Sequence, residues 1–301
     1  MKILVTGGAG FIGSAVVQKF QSEDHDVAII DDLSFGNREF VTVTQDNFYE
    51  CDILDSQRVD EVFHHYHPEV VIHLAAVHFI PWCNKHPYES SQINITGTIN
   101  ILRACDIHQV KKVIFASTAA VYPINEEATN EFFPVGPMDI YGLSKLVGEH
   151  LCNEFHLRTS TPVVICRFFN AFGPNETNPH LIPEIQKQVN SGLRKIKLGN
   201  TEPKRDFIHT SDISNAIFML VLTHLSGIET YNIGQGVEYS VVDIVESFSR
   251  VIGEPIEIET DPERVRKVER MHLLADTTKL RSLGWKPLID IDSGIKTLVT
   301  L

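Results

Sequence analysis

Tyr141 and Lys145, four residues apart in the segment YGLSK, could act together as an acid–base pair. Residues at this spacing lie one above the other on the same face of a helix. A lysine ammonium lowers the pKa of a nearby tyrosine, which otherwise titrates near ~10, because an opposite charge favours the phenolate. The spacing arises by chance in many chains of 301 residues. The surrounding elements must therefore distinguish a catalytic pair from two polar residues that share a helix face.

Short apolar runs rich in Val and Ile alternate with amphipathic stretches along the first half of the chain. The runs predict strands at residues 2–6, 26–30, 70–76, 112–117 and 161–168. Such runs are typical of parallel strands that are buried on both faces. Helices are predicted between them, at residues 12–21, 56–65, 94–105 and 141–155. The alternation predicts an α/β fold, a Rossmann-type doubly wound parallel sheet, with a smaller C-terminal α/β lobe after about residue 170.

A glycine-rich turn, TGGAGFIGS, follows the first predicted strand and opens the first predicted helix. In this context glycines allow the backbone to approach a pyrophosphate, which binds at the positive N-terminus of the helix. The alternative is an ordinary tight turn between strand and helix. The residues expected to contact the cofactor here are Gly7, Gly10, Phe11, Ile12 and Gly13.

Asp31 ends the second predicted strand, 18 residues after Gly13. A carboxylate at this distance can accept hydrogen bonds from the ribose hydroxyls of adenosine, which favours NAD over NADP. Asp32 is a second candidate, and one of the two aspartates is expected to cap the following turn. Arg38 is near enough to leave a site for a 2′-phosphate open.

Composition excludes several classes of protein. The formal net charge of −13 argues against binding to nucleic acid, which requires a broad basic surface. Five scattered cysteines without a Cys-x-x-Cys motif favour a reducing compartment over a disulfide framework or a zinc site. No apolar stretch is long enough to span a membrane, and no signal peptide is recognised. We therefore expect a cytoplasmic protein with no membrane partner.

One histidine cluster has the composition of a metal site. His64, His65 and His67 fall at a predicted helix end just before Pro68, with no cysteine nearby. A solvated helix end is the better interpretation, and no metal site is predicted.

The ordered motifs resemble a known family. TGGAGFIGS, DDLSFGN, CDILD, HLAA, NITGTIN, STAAVY, YGLSK and RFFN occur in the order seen in the extended short-chain dehydrogenase/reductases. RDFIHTSDI, YNIG and LGWKP extend the likeness over nearly the whole chain. More narrowly, the sequence resembles the NAD-dependent sugar-nucleotide epimerases and dehydratases.

The resemblance gives the opening pair its roles. It implies that Tyr141 is the catalytic acid/base and that Lys145 lowers the pKa of Tyr141 and binds the nicotinamide ribose. Thr118 matches the third catalytic position and would also contact the substrate, with Ser117 as the adjacent alternative. Thr118 could instead bond its own backbone at the end of a strand.

The resemblance also implies contacts along both ligands. Further cofactor contacts are expected at Asp52, Ile53, Leu74, Ala75, Ala76, Asn94 and Phe169. Substrate contacts are expected at His78, Asn170, His180, Leu181, Arg205, Arg266 and Glu269. The two arginines would hold the substrate diphosphate through their bidentate guanidinium groups. His78 could equally be a packed or solvated histidine, and either arginine could form a surface salt bridge.

The implied activity is that of an NAD-dependent nucleotide-sugar 4-epimerase of the UDP-glucose/UDP-galactose type, acting through a transient 4-keto sugar. A 4,6-dehydratase is the first alternative, but Ala119 and Ala120 stand where those enzymes carry acidic residues. A 4-keto-sugar reductase and a non-catalytic dinucleotide-binding regulatory protein are the others.

The resemblance also implies a division of the chain and an assembly. Residues 1–169 would form the NAD-binding domain, with about 206–236 returning to it, and 170–301 the substrate-binding lobe. A homodimer is expected through helices near residues 94–106 and 141–156. The apolar residues considered for this contact are Leu143, Leu146, Val147 and Leu151.

Overall fold

The computed structural model describes residues 1–262 and 270–299. A seven-stranded parallel sheet with the order β3-β2-β1-β4-β5-β6-β10 dominates these residues. This is the strand order of a doubly wound Rossmann-type fold, so the predicted fold class is confirmed. The strands are β1 Lys2–Thr6, β2 Asp26–Asp31, β3 Phe48–Glu50, β4 Val70–His73, β5 Lys112–Thr118, β6 Val163–Phe168, β7 Asn170–Phe172, β8 Lys195–Leu198, β9 Lys204–His209, β10 Ile228–Ile233, β11 Glu238–Ser240 and β12 Glu257–Thr260.

Helices cover both faces of this sheet. α1 and α8 pack on one face, and α2, α5 and α6 pack on the other, so each face buries its own apolar cluster. The helices are α1 Phe11–Ser22, α2 Ser56–Tyr66, α3 Ile80–Lys85, α4 Pro87–Ser91, α5 Gly97–Ile107, α6 Ile140–Thr159, α7 Leu181–Asn190, α8 Thr210–Leu222, α9 Val241–Ile252, α10 Thr278–Ser282 and α11 Ile291–Lys296.

The C-terminal lobe has its own core. β7, β9 and β11 form a three-stranded sheet, and β8 pairs with β12. α7, α9 and α11 contribute apolar side chains to one buried cluster with these strands. The chain passes between the large sheet and the C-terminal lobe more than once. After β9 in the lobe it returns to the large sheet, where α8 packs on one face and β10 pairs with β6.

Several boundaries differ from those predicted. The predicted strand 70–76 ends at His73, because residues 74–76 leave the sheet to border a cleft. The segment directly after residue 169, for which no strand or helix was predicted, contains β7 and the start of α7. The short strand β3 has no clear apolar pattern and was not predicted. A π-helical turn, Gln92–Thr96, precedes α5 where one regular helix was expected.

A buried ion pair joins α6 to the sheet. Glu149 on α6 accepts two hydrogen bonds from Arg167 on β6, Nε to Oε1 at 2.8 Å and Nη2 to Oε2 at 2.6 Å. Ser117 on β5 donates a third to the same carboxylate at 2.5 Å. Both charged residues are only 6% exposed. A bidentate pair with an added donor satisfies most of the bonding capacity of the two buried charges, which a single contact would not.

Removing one partner of this pair should be costly. We expect Glu149→Ala to lower the free energy of unfolding by about 3–5 kcal/mol, because the Arg167 guanidinium is then buried without its counter-charge. The matched control is Glu61→Ala, which breaks the ion pair with Arg58 whose side chains are 52% and 48% exposed. Its cost should stay below about 1 kcal/mol. Urea unfolding measures both, and equal costs would contradict this account.

Candidate active site

A cleft of about 970 Å³ lies at the carboxyl ends of the large sheet, between that sheet and the C-terminal lobe. Parallel α/β sheets bind ligands at this edge, where the strand order reverses. Here the reversal is between β1 and β4. The predicted residues that line the cleft are Gly7, Gly10, Phe11, Ile12, Gly13, Asp31, Asp32, Asp52, Ile53, Leu74, Ala75, Ala76, His78, Thr118, Tyr141, Lys145, Phe169, Asn170, His180, Leu181 and Arg205.

The glycine turn after β1 is too tight for side chains. Gly7 has a φ of +70°, and a Cβ there would lie 2.8 Å from the nitrogen of Ala75 in the loop after β4. A Cβ on Gly13 would lie 2.0 Å from the carbonyl oxygen of Gly7. α1 begins directly after Gly10, and because glycine has no side chain, the N-terminus of the helix is not capped by this residue. The turn therefore presents backbone N–H groups at a helix N-terminus, as a pyrophosphate requires.

Asp31 is bound to the same turn. Its Oδ2 accepts a hydrogen bond from Ala9 N and its Oδ1 one from Leu33 N, both at 2.9 Å. Burial raises the pKa of Asp31, and these two backbone donors oppose the rise. Asp32 caps the following turn by accepting from Ser34 N at 3.0 Å. Both aspartates thus accept backbone bonds in this turn, and both also line the cleft.

The sequence left open that Arg38 binds a 2′-phosphate, but its guanidinium bonds the backbone of a neighbouring segment instead. Its guanidinium donates to the backbone oxygens of Val41 at 3.0 Å and Val43 at 2.9 Å, and it lies over the ring of Phe48. Arg38 is not among the described residues that line the cleft. The adenosine end of the cleft is therefore bordered by carboxylates.

Thr118 and Tyr141 meet in the cleft. Thr118 ends β5, and its hydroxyl is close enough to the Tyr141 side chain to lower the pKa of the phenol. The same Oγ accepts from Ala120 N at 3.1 Å, so the backbone contact considered from the sequence is also made. The neighbouring Ser117 donates its hydroxyl to Glu149 instead. Between the two adjacent hydroxyls, Thr118 is the one that reaches the tyrosine.

The electrostatics of Tyr141 differ from the expectation. The pKa of Tyr141 is raised, because burial outweighs the hydrogen bond from Thr118 that lowers it. Lys145 is not among the named causes of this shift, and the lowering expected from it stays a prediction. Burial lowers the pKa of Lys145 itself to about 8, and its ammonium lies 4.7 Å from the centre of the Phe115 ring. Spacing alone predicted the charge interaction but not the cost of burying both groups.

Asn94 is a predicted cofactor contact that lies behind the cleft rather than on its surface. It is 1% exposed, in the π-helical turn. Its side chain donates to Val77 O and Ser144 Oγ, both at 2.9 Å, and accepts from Val77 N at 2.8 Å. Asn94 thus joins the loop after β4 to α6, the helix of Tyr141 and Lys145.

Cations border the opposite end of the cleft. Arg205 is half-buried there and donates to Lys204 O at 2.8 Å. Arg270 was missed from the sequence, although it directly follows the RKVE segment. It also lines the cleft, and it donates to Tyr122 O at 2.8 Å. The predicted Arg266 and Glu269 lie outside the described residues.

Two of the predicted substrate contacts, His78 and His180, lie next to each other in the cleft. The rings of His78, after β4, and His180, which precedes α7, have centroids 5.7 Å apart. Burial lowers the pKa of His78 to about 4. His180 Nδ1 lies 3.4 Å from an oxygen of Glu176, a residue that the sequence did not single out. By contrast, His64, His65 and His67 are exposed at the end of α2, as predicted.

Comparison with known proteins assigns the family. Residues 3–234 match the model of the NAD dependent epimerase/dehydratase family. The chain belongs to this family. A UDP-glucose 4-epimerase of Bacillus subtilis is 30% identical over 314 residues, covering 95% of this chain and 92% of that protein. The cofactor is accordingly NAD, and the glycine turn and the carboxylate of Asp31 fit that dinucleotide.

Solved structures agree in fold over the whole chain. The UDP-glucose 4-epimerase of Thermotoga maritima, solved with UDP-glucose, has a TM-score of 0.91 at 29% identity and covers 99% of this chain and 97% of its own. The Thermus thermophilus UDP-glucose 4-epimerase, solved with NAD, has a TM-score of 0.89 at 28% identity with the same coverage. No helix among residues 1–262 and 270–299 is long and apolar enough to cross a membrane.

The burial of Lys145 should appear in the pH dependence of stability. Between its folded pKa of about 8 and its ordinary value of 10.5, the unfolded chain binds a proton that the folded chain does not. Wild-type stability should therefore rise with pH in this window, by at most about 1.4 kcal/mol per pH unit, relative to Lys145→Met. Urea unfolding at pH 7.5 and pH 10 measures the difference. Lys85→Met is the control, because Lys85 is exposed, and its free energy of unfolding should change with pH as that of wild type does. If the stability difference between wild type and Lys145→Met does not change with pH, the burial of a charged Lys145 is contradicted.

Proposed function

We propose that this chain is an NAD-dependent nucleotide-sugar 4-epimerase that interconverts UDP-glucose and UDP-galactose through a transient 4-keto sugar. The observation that carries the proposal is the contact between Tyr141 and Thr118 inside the cleft onto which the glycine turn opens. The family and its UDP-glucose 4-epimerase members support the same reaction.

Tyr141 would exchange a proton with the sugar hydroxyl at C4. When bound, NAD supplies a reversible hydride acceptor and a positive charge that favours the tyrosinate. Thr118, whose hydroxyl lowers the pKa of Tyr141, would bond the same substrate oxygen and share the proton. Lys145 would bind the nicotinamide ribose from one turn further along α6. General acid–base catalysis of this kind contributes about 10²–10⁴ in rate.

The substrate would extend from Tyr141 toward the C-terminal lobe. We propose that the arginines at that end bind its diphosphate, because guanidinium groups pair bidentately with phosphate oxygens. The proposed contacts are His78, Asn170, His180, Leu181, Arg205, Arg266 and Glu269, and Arg270 is added to them. We propose that residues 1–169 and about 206–236 form the domain that binds NAD. The remainder of 170–301 would bind the sugar nucleotide.

The alternative is 4,6-dehydration, which requires carboxyl side chains to remove the C5 proton as a base and to help expel water as an acid. Ala119 and Ala120 follow Thr118 and both line the cleft. Neither methyl group can move a proton. This position therefore favours epimerisation over dehydration.

A proton NMR assay tests the reaction and the role of Tyr141 together. With NAD, we expect UDP-glucose and UDP-galactose to reach the same anomeric-proton ratio from either side. Tyr141→Phe should lose at least about 10²-fold in rate while retaining NAD, because only the proton carrier is removed. Tyr88→Phe is the control, since Tyr88 is 69% exposed on α4, and its rate should not change. Normal turnover in Tyr141→Phe, or keto products without a C4 epimer, would overturn the proposal.

The compartment and the assembly are also proposals. All five cysteines are buried and unpaired, which supports a reducing, cytoplasmic location. A homodimer is supported by apolar side chains exposed on α5 and α6, namely Ile99 at 43% and Leu143 at 47%. Leu146 and Leu151 pack within the subunit instead. Val147, which is half-buried, completes the proposed surface.

Light scattering should report twice the chain mass of 33.9 kDa at micromolar concentration. Leu143→Asp should shift the mass toward one chain, because it places a charge in an apolar contact. Leu288→Asp is the control, since Leu288 is 66% exposed outside these two helices. A monomeric wild-type protein, or equal masses for both variants, would refute the proposed dimer surface.

A further inference from the structure

His78, Glu176 and His180 form a compact cluster in the cleft. One ligand atom from each residue lies within 4.8 Å of the other two. The three residues come from two segments, namely the loop after β4, which carries His78, and the loop between β7 and α7, which carries Glu176 and His180. All three line the cleft, so the cluster is accessible to small molecules that enter it.

The geometry points to a binding site for a divalent transition-metal ion of the Zn²⁺ class at His78, Glu176 and His180. Zn²⁺ binds histidine nitrogen and carboxylate oxygen at about 2.0–2.2 Å, which places tetrahedral ligands roughly 3.4 Å apart. The Glu176–His180 pair is already at 3.4 Å. The His78 ligand atom lies within 4.8 Å of the other two, and binding an ion would draw it closer to them.

The carboxylate decides between a cation and an anion as the ligand. Two histidines beside a substrate cleft could bind a phosphate, but the Glu176 side chain is 5% exposed and directs one oxygen at His180. A phosphate there would meet a buried negative charge. A dication is attracted by the same charge, and the two imidazoles favour a transition metal over Mg²⁺ or Ca²⁺, which prefer oxygen ligands.

Neighbouring groups orient two of the three ligands. Asn178, which is 7% exposed, has its side-chain amide 3.2 Å from His78 Nε2. With the amide oxygen turned toward this nitrogen, Asn178 accepts the Nε2 proton and leaves Nδ1 of His78 for the ion. The backbone N–H of Asn178 donates to Glu176 Oε1 at 3.0 Å, which leaves Oε2 directed at His180. Outer contacts of this kind hold metal ligands in place and raise affinity. The structure thus contains both the ligand set and its support.

Three protein ligands leave one position of a tetrahedral ion open, as in catalytic zinc sites. Because the cluster lines the cleft, this position would be available to an oxygen of a bound ligand. The site itself does not rest on the proposed epimerisation, since it is defined by the three side chains alone. Metal binding and turnover can therefore be measured separately.

Calorimetry with Zn²⁺, on tag-free metal-stripped protein, tests the site. We expect one ion per chain, and we expect Co²⁺ in its place to give the intense visible absorption of tetrahedral coordination. Glu176→Gln and His180→Asn should each weaken binding at least about tenfold, because each removes one of the three ligands. The double variant His64→Asn and His67→Asn is the control, since it removes two exposed histidines at the end of α2, and its affinity should match wild type.

Two results would overturn the site. Either the wild-type protein shows no saturable Zn²⁺ binding, or both ligand variants bind as tightly as wild type. In the second case, weaker binding by the His64/His67 double variant would place the ion at the end of α2 instead. Thermal unfolding of each variant identifies loss of the fold, and Glu176→Gln, which keeps the shape of the side chain, provides the test if His180→Asn fails to fold. The NMR assay on the metal-free protein reports epimerisation independently, so failure of the metal site and failure of the proposed function are distinguishable.

Discussion

The buried pair of Glu149 and Arg167 is the contact on which the geometry of the cleft depends. Two charges removed from water are tolerated only when their bonding capacity is satisfied, and here three hydrogen bonds converge on one carboxylate. Glu149 lies one helical turn after Lys145, and Ser117 directly precedes Thr118. The ion pair and the bond from Ser117 therefore fix the position of α6 relative to β5, and with it the distance between Thr118 and the helix that carries Tyr141 and Lys145.

A second constraint is steric, at the reversal of strand order. β1 and β4 lead into loops that approach so closely that no Cβ fits at Gly7, and α1 begins so near that none fits at Gly13. The same absence of side chains leaves backbone donors open to a pyrophosphate. The charges that line the cleft differ between its two ends. The carboxylate of Asp31 lies at the end expected to hold adenosine, and the guanidinium of Arg205 lies at the opposite end. An acidic chain can thus present cations to an anionic ligand, because the guanidinium groups of Arg205 and Arg270 line the cleft.

The features that could be predicted from the sequence are those that depend on residues close together in the chain. The apolar runs of β1 and β5, the glycine turn and the spacing of Tyr141 and Lys145 are set by residues close in the chain. The missed features depend on contacts between distant segments. Glu176 joins two histidines only when the loops after β4 and β7 meet, and Arg270 reaches the cleft from the C-terminal lobe. The raised pKa of Tyr141 likewise depends on burial, which spacing does not encode.

Arg270 shows why the C-terminal lobe matters for chemistry as well as for binding. Its guanidinium donates to the carbonyl of Tyr122 at 2.8 Å and lies 3.5 Å from that of Ala119, within the turn that follows Thr118. Burial lowers its pKa, but a guanidinium stays charged at every pH at which the protein is folded. A cation from the second lobe is thereby anchored to the turn that follows Thr118. Under the proposed function, an anionic substrate bound by Arg270 would be held against the same backbone segment that carries Thr118, so that one turn would position the substrate for both binding and proton transfer.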